Sequence, residues 1–269
     1  MDLSLVLLAL GAFGAGLVDA VVGGGGLIQI PLLFSAFPQA GAAALFGTNK
    51  LASVVGTASA AIQYGRRIEI PWWLVLPAAI AAAVGSWFGA RAVILFPPTL
   101  LRPLILLLLV GVAGYTFMRK DFGIHRRGFS DRRRALRRAL GIGAVIGFYD
   151  GFFGPGTGSF LIFLFIRLLR MDFVHASVAA KIVNVSTNLA AIAFFVAHGT
   201  VFWKLAAAMA VCNLLGSRVG TALALRHGAS FKIDLSVDPR AIADRRGDRT
   251  VRQRRDANRR APRRARIRG

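Results

Sequence analysis

Residues 101–117 read LRPLILLLLVGVAGYTF, and this stretch has no polar face. A helix buried in a water-soluble domain keeps one hydrophilic stripe, so a segment apolar all round needs a different solvent. It is one of a series. Apolar blocks cover 3–18, 27–37, 42–64, 72–90, 99–118, 139–166, 173–197 and 201–225, and several reach the roughly 20 residues that cross a bilayer as a helix. The chain is 55% hydrophobic with a mean hydropathy of +0.59, which excludes an ordinary soluble globule. The pattern predicts an all-α polytopic membrane protein with about seven to eight hydrophobic segments. The first block lacks the basic leader of a signal peptide and has an internal counterpart, so it belongs to the fold. A single cysteine, Cys212, excludes an internal disulfide. Trp72, Trp73 and Trp203 open apolar blocks, as interfacial anchors do.

That counterpart comes from an internal repeat. Shifting the sequence by 131 residues places Gly16 on Gly147, Asp19 on Asp150, Gly23 on Gly154 and Gly25 on Gly156. The same shift places Lys50 on Lys181, Trp72 on Trp203, and Gly85, Ser86 and Gly89 on Gly216, Ser217 and Gly220. Arg66 and Arg67 lie in a first-copy loop whose second-copy match lacks arginine, while Arg167 and Arg170 match the uncharged 36–39. Basic loops stay cytoplasmic, so corresponding loops face opposite ways, the pattern of inverted repeats. Each copy then begins with a pair of segments that enters and returns, followed by three spans. Arg91 and Arg102 do not fit this orientation.

The organisation is a first membrane repeat over 1–118, a basic cytoplasmic loop over 119–138, a second repeat over 139–229 and a basic tail over 230–269. The net charge of +22 is concentrated rather than spread. Nine of the 34 Lys and Arg lie in 119–138 and fourteen in 231–269. Cytoplasmic retention accounts for the loop better than nucleic-acid binding does. From Ser230 the repeat breaks off, and SFKIDLSVDPRAIADRRGD stands where the first copy has a hydrophobic span. Its composition predicts disorder. It reads as a tail touching anionic lipid, as a nucleic-acid-binding segment, or as a frameshifted end that has replaced a helix. The abruptness of the break favours the last.

Three pairs of features carry the chemistry. Gly23, Gly24, Gly25 and Gly26, and Gly154, Pro155, Gly156, Thr157 and Gly158, mark matched breaks in two membrane segments. A break frees backbone groups that protein, water or ligand must satisfy, and the half-helix that follows offers N–H donors to an anion. Close packing by small residues is the alternative. Lys50 sits beside Thr48 and Asn49, and Lys181 beside Asn184 and Asn188. Two repeat-related ammonium groups with amide and hydroxyl neighbours suit a small oxyanion; alternatively each lysine reaches the interface or pairs with an aspartate. Asp19 and Asp150 precede the breaks by four residues. They are candidates for proton coupling, or for capping the break and neutralising the lysines. His175, His198 and His227 have no metal-ligand spacing, and no metal or cofactor is called for. Arg218 is a further candidate anion contact, though its repeat counterpart is Trp87.

With GLVDAVVGGGGLIQIP, LFGTNKLAS, GFYDGFFGPGTGSF, AAKIVNVSTNLA and NLLGSRVGTALALRHG on the page, the chain resembles the sulfite exporter TauE/SafE family, most closely its YfcA-type branch. The resemblance covers about residues 5–229. It implies a transporter of small anions, with sulfite, sulfoacetate and other organosulfur compounds among the family's substrates. It carries over the glycine breaks and Thr48, Asn49, Lys50, Lys181, Asn184 and Asn188. The departure is the C-terminus, where the family continues with another apolar segment.

The leading expectation is therefore a secondary transporter, not an enzyme, exporting a small oxyanion across the bacterial inner membrane by alternating access. Its partners are the anion, the bilayer and anionic lipid at the basic loop and tail, with no specific nucleic acid. An intramembrane aspartyl protease built on Asp19 and Asp150 is the alternative from another class; no Gly-x-Gly-Asp stretch supports it. A membrane protein with a nucleic-acid-binding tail is the third reading.

Overall fold

The computed structural model describes residues 3–118, 131–198 and 201–233. Within them lie nine helices and no strand: α1 (Leu3–Val22), α2 (Gly26–Ala36), α3 (Ala42–Gly65), α4 (Trp72–Leu95), α5 (Pro98–Met118), α6 (Arg132–Phe152), α7 (Thr157–Leu169), α8 (Phe173–His198) and α9 (Trp203–Ile233). The chain divides into two compact units after Leu225. Helices α1 to α8 and the larger part of α9 lie in the first.

Four helices, α1, α4, α8 and α9, contain stretches long and apolar enough to cross a membrane. Shorter apolar stretches lie in α2, α5 and α7. α3 is as long as α4, but Thr48, Asn49, Lys50, Ser53 and Thr57 interrupt its apolar run. α6 opens on five arginines before turning apolar at Ala139. Outward-facing side chains are large and apolar: Leu107 is 71% exposed, Val110 72% and Val145 67%. Surfaces of that kind fit a lipid environment, and helices satisfy their own backbone there. The chain is a multi-pass membrane protein.

Adding 131 maps the starts of α1 to α4 (3, 26, 42, 72) onto 134, 157, 173 and 203, against observed starts of 132, 157, 173 and 203 for α6 to α9. α9 continues through Ser230 to Ile233, past the point where the sequence repeat fails. The basic tail beyond it and residues 119–130 of the basic loop lie outside the described residues.

The copies are interleaved. The core that fills α6, α7 and α8 takes Leu74, Val75, Ala78, Ala79 and Ala82 from α4 of the first copy. Conversely, Met209 from α9 of the second copy packs with Leu8, Ala12, Leu33, Leu45 and Ala52 of α1, α2 and α3. Glycines set both crossings. Gly147 leaves no room for a Cβ against the Ala82 carbonyl, and Gly16, its counterpart, none against Asn213, the counterpart of Ala82. Gly85 on Ala144 and Gly216 on Phe13 repeat the relation, as do Gly89 on Phe148 and Gly220 on Leu17. Such contacts let backbones approach where lipid supplies no hydrophobic drive between helices. Ser86 donates to the Thr187 carbonyl at 2.7 Å, and Ser217 to the Gly56 carbonyl at 2.7 Å, again related by the shift.

Candidate functional site

The interruptions fall in the glycine runs. α1 stops at Val22 and α2 begins at Gly26; α6 stops at Phe152 and α7 begins at Thr157. Gly23 and Gly154 take φ of +81° and +98°, conformations that strain any L side chain. The two turns touch each other. Ser159 donates its N–H to the Gly23 carbonyl at 3.1 Å and its hydroxyl to the Val22 carbonyl at 2.8 Å. The N–H groups of Gly26 in α2 and Gly158 in α7 have no backbone partner among the described residues. Both glycines line a small cavity between the copies.

That cavity is about 30 Å³. At the 10–15 Å³ that one water requires, it has room for about two. The sequence candidates converge on it. Gly23, Gly25, Gly154, Gly156 and Thr157 join Gly26 and Gly158 from the breaks. Asn49 and Lys50 come from α3, Asn184 and Asn188 from α8, and Asp19 and Asp150 from the ends of α1 and α6. Gly24, Pro155, Thr48 and Lys181 do not line it. Thr48 is used structurally: its hydroxyl donates to the Ala44 carbonyl at 2.7 Å and accepts the Phe202 N–H at 3.1 Å. Arg218 is exposed and takes no part.

The lysines do not meet as a free pair of ammonium groups. Each is held by the other copy at the position that pairs with an aspartate. Lys50 Nζ donates to Asp150 Oδ2 at 2.6 Å, with both side chains 3% exposed. Lys181 Nζ donates to the main-chain carbonyl of Asp19 at 2.6 Å and lies 5.9 Å from the centre of the Tyr64 ring. The Asp19 carboxylate instead accepts the Thr57 hydroxyl at 3.1 Å. Burying a lysine charge is tolerable only when it is compensated; the Asp150 carboxylate does this for Lys50, and a main-chain carbonyl beside the Tyr64 ring is what Lys181 has.

Amides supply the rest of the lining. Asn188 Nδ2 donates to Asn184 Oδ1 at 3.3 Å, which fixes the carbonyl end of Asn184 and leaves its amino end without a partner among the described residues. Asn49 is 6% exposed, and its Oδ1 has no hydrogen-bond partner among the described residues. Ser53, Thr57 and Asn213 also line the cavity, and the motif reading missed them. The repeat itself points to two of the three. Ser53 is the counterpart of Asn184 (53 + 131) and Thr57 of Asn188 (57 + 131), so polarity is kept where identity is not. Asn213 has Ala82 as its counterpart and gives no such signal. Asn213 Nδ2 donates to the Ala12 carbonyl at 3.3 Å and to Gln29 Oε1 at 3.4 Å, tying α9 to α1 and α2. Among the described residues no three His, Cys, Asp or Glu side chains gather as a metal site would need.

Residues 8–235 match the family model described as "Sulfite exporter TauE/SafE". The chain is 34% identical to a probable membrane transporter protein, ORF9, of a Sinorhizobium species, over 86% of this chain and 88% of that one. It is 32% identical to a probable membrane transporter protein of Haemophilus influenzae, over 86% and 89%. It is 34% identical to the probable membrane transporter protein YfcA of Escherichia coli, over 80% and 78%. No solved structure matches the chain. With the family match over most of the chain and these relatives, the chain belongs to the TauE/SafE family of membrane transporters.

Proposed function

We propose that this transporter moves a small oxyanion, such as sulfite or an organosulfonate, across the bacterial inner membrane by alternating access. The two copies are inverted in the membrane and rock about the cavity between their interrupted segments, completing seven to eight hydrophobic segments in all. The observation that supports this reading most is the pair of unpartnered N–H groups, Gly26 and Gly158, at the starts of two helices that meet at one cavity. Helix starts carry partial positive charge, and two of them aimed at one point favour an anion. The buried Asn49 amide, unbonded at its oxygen, is free to turn its amino end to the same ion. Lys50 contributes no free charge, because the Asp150 carboxylate balances it, while Lys181 rests on a main-chain carbonyl and adds positive field to the site.

The same imbalance between copies supports alternating access. One lysine rests on a carboxylate and its twin on a main-chain carbonyl. In the opposite-facing state the copies exchange arrangements: Lys181 closes on the Asp19 carboxylate while Lys50 leaves that of Asp150. A cavity of about 30 Å³ is too tight for a hydrated oxyanion, so the ion enters only as the copies part. An inside-negative potential favours anion exit, so export needs no nucleotide hydrolysis. Asp19 and Asp150 are the residues through which a proton would be coupled. The basic loop lies in the cytoplasm and, with the tail, contacts anionic lipid.

Flux of labelled sulfite, sulfoacetate and acetate in proteoliposomes tests this. The wild type moves the sulfur oxyanions, and Asn49→Leu loses about tenfold or more of that flux, as expected when an unpaired amide contact to a charged ligand is removed. Arg218→Gln, exposed and away from the cavity, keeps it. Equal flux in Asn49→Leu would refute the site.

A further inference from the structure

Arg91 in α4 has no counter-ion within the protein's described residues. It is exposed, and none of the ion pairs involves it. The sequence offers no acid between Glu69 and Asp121. Asp19 and Asp150 are committed to the cavity, Asp131 to Arg134 and Asp172 to His175. Glu69 precedes α4, and the nineteen residues from Trp72 to Arg91 rise roughly 28 Å along the helix. The hydrocarbon core is roughly 30 Å thick. With Trp72 in one headgroup layer, Arg91 therefore stands in the other.

Arg91 sits at the edge of a crevice of about 500 Å³ between α4 and α8. Trp87, Ile94 and Leu95 form one wall, and Phe194 and His198 the other. The Trp87 and Phe194 rings meet edge to face with centroids 5.2 Å apart, and His198 stacks on Phe194 at 4.4 Å. His198 Nδ1 is engaged with the Phe194 carbonyl at 3.1 Å, which leaves Nε2 as the ring atom available to a ligand. The crevice is thus apolar and aromatic inside, with a guanidinium and an imidazole at its edge. Arg66 and Arg67 lie between α3 and α4, at the end of α4 away from Arg91, and mark the cytoplasmic side in the proposed orientation, so Arg91, like Arg102, departs from the basic-inside bias.

We infer that this crevice binds an anionic glycerophospholipid of the leaflet opposite the cytoplasm. One acyl chain lies along Trp87, Ile94 and Leu95, and the phosphodiester is held by Arg91, whose planar fork suits two phosphate oxygens at once. His198 Nε2 accepts from a headgroup hydroxyl. A zwitterionic headgroup would set its own cation against Arg91 and binds less well. The bound phosphate supplies the missing counter-ion and explains the misplaced arginine.

Native mass spectrometry of the full-length protein, purified in mild detergent and titrated with dioleoyl-phosphatidylglycerol, dioleoyl-phosphatidylethanolamine or dioleoyl-phosphatidylcholine, tests this. One phosphatidylglycerol is retained in preference to either zwitterionic lipid. Arg91→Gln weakens that retention by about tenfold or more, Arg91→Lys by less, and Arg66→Gln with Arg67→Gln leaves it unchanged. Circular dichroism and monodispersity of Arg91→Gln establish that it is folded. Equal retention of the three lipids, undiminished retention in folded Arg91→Gln, or a protein dimer that occupies this face and is lost in Arg91→Gln would each overturn the assignment.

Discussion

The two copies place the same residues in the same positions and use them differently. Lys50 of the first copy is neutralised by the carboxylate of Asp150, with both side chains buried. Lys181 of the second copy takes the Asp19 main chain and shares its neighbourhood with Thr57 and Tyr64. A repeat thus specifies which groups lie at the centre, while which pair is closed is free to differ. In the proposed mechanism, two similar but unequal pairs would supply the two states of comparable energy that alternating access needs.

The largest effect that would break this comparison is charge removal. Lys50→Met leaves the Asp150 carboxylate buried without a partner and costs about 3–5 kcal/mol. Lys181→Met costs less, about 1–3 kcal/mol, because it strands a main-chain carbonyl and an aspartate that keeps its Thr57 bond. Thermal unfolding of the two variants in detergent ranks them; equal losses would erase the asymmetry. The double variant Lys50→Met with Asp150→Leu recovers much of the loss, since replacing both partners removes the stranded charge.

Next come the glycine crossings, where the copies are equal. Gly147→Ala and Gly16→Ala each drive a methyl into a carbonyl of the facing helix, and each costs about 1–3 kcal/mol. A cost confined to one of them would show that the crossings are not equivalent. Gly14 and Gly141 have open space where a Cβ would stand, so Ala there is neutral or stabilises by up to about 1 kcal/mol.

How far the sequence reached follows from the same contrast. The breaks, the lysines and the aspartates were readable because the 131-residue shift sets them against each other, and the asparagines because they stand beside the lysines in otherwise apolar blocks. Their crossed partnership was not, because a shift relates Lys50 to Lys181 and says nothing of Lys50 and Asp150. Thr48 looked like a site residue from its neighbours, yet its hydroxyl points back along α3 to Ala44 and out to the start of α9. Asn213 stood alone in an apolar block, and only the meeting of α9 with α1 and α2 gives it partners.

The smallest effect sharpens the comparison outside the membrane. Asp172 begins α8, accepting the N–H groups of Val174 and His175 at 3.1 and 3.0 Å, while its counterpart Gly41 begins α3 with no side-chain cap. Partial burial pushes the Asp172 carboxyl up, but the His175 N–H and imidazole pull it down further, so it ends below the usual carboxylate range. A lowered folded value means that this stability is present above the unfolded value of about 3.9 and is lost as pH falls through the folded one. Asp172→Ala should cost about 1 kcal/mol near neutrality, and the difference from wild type should start to shrink near the unfolded value of about 3.9 and vanish only below the lowered folded value. A difference that persisted in acid would assign the cap to something other than the charge.

The most direct test of the central claim is accessibility of the cavity from both sides. Ser53→Cys and Asn184→Cys, counterparts on α3 and α8, are introduced singly after Cys212→Ala. They are then labelled with a membrane-impermeant maleimide in right-side-out and inside-out vesicles. The account predicts that each cysteine is labelled from both sides and that saturating sulfite slows the reaction. Labelling from one side alone, or rates that no oxyanion changes, would contradict it.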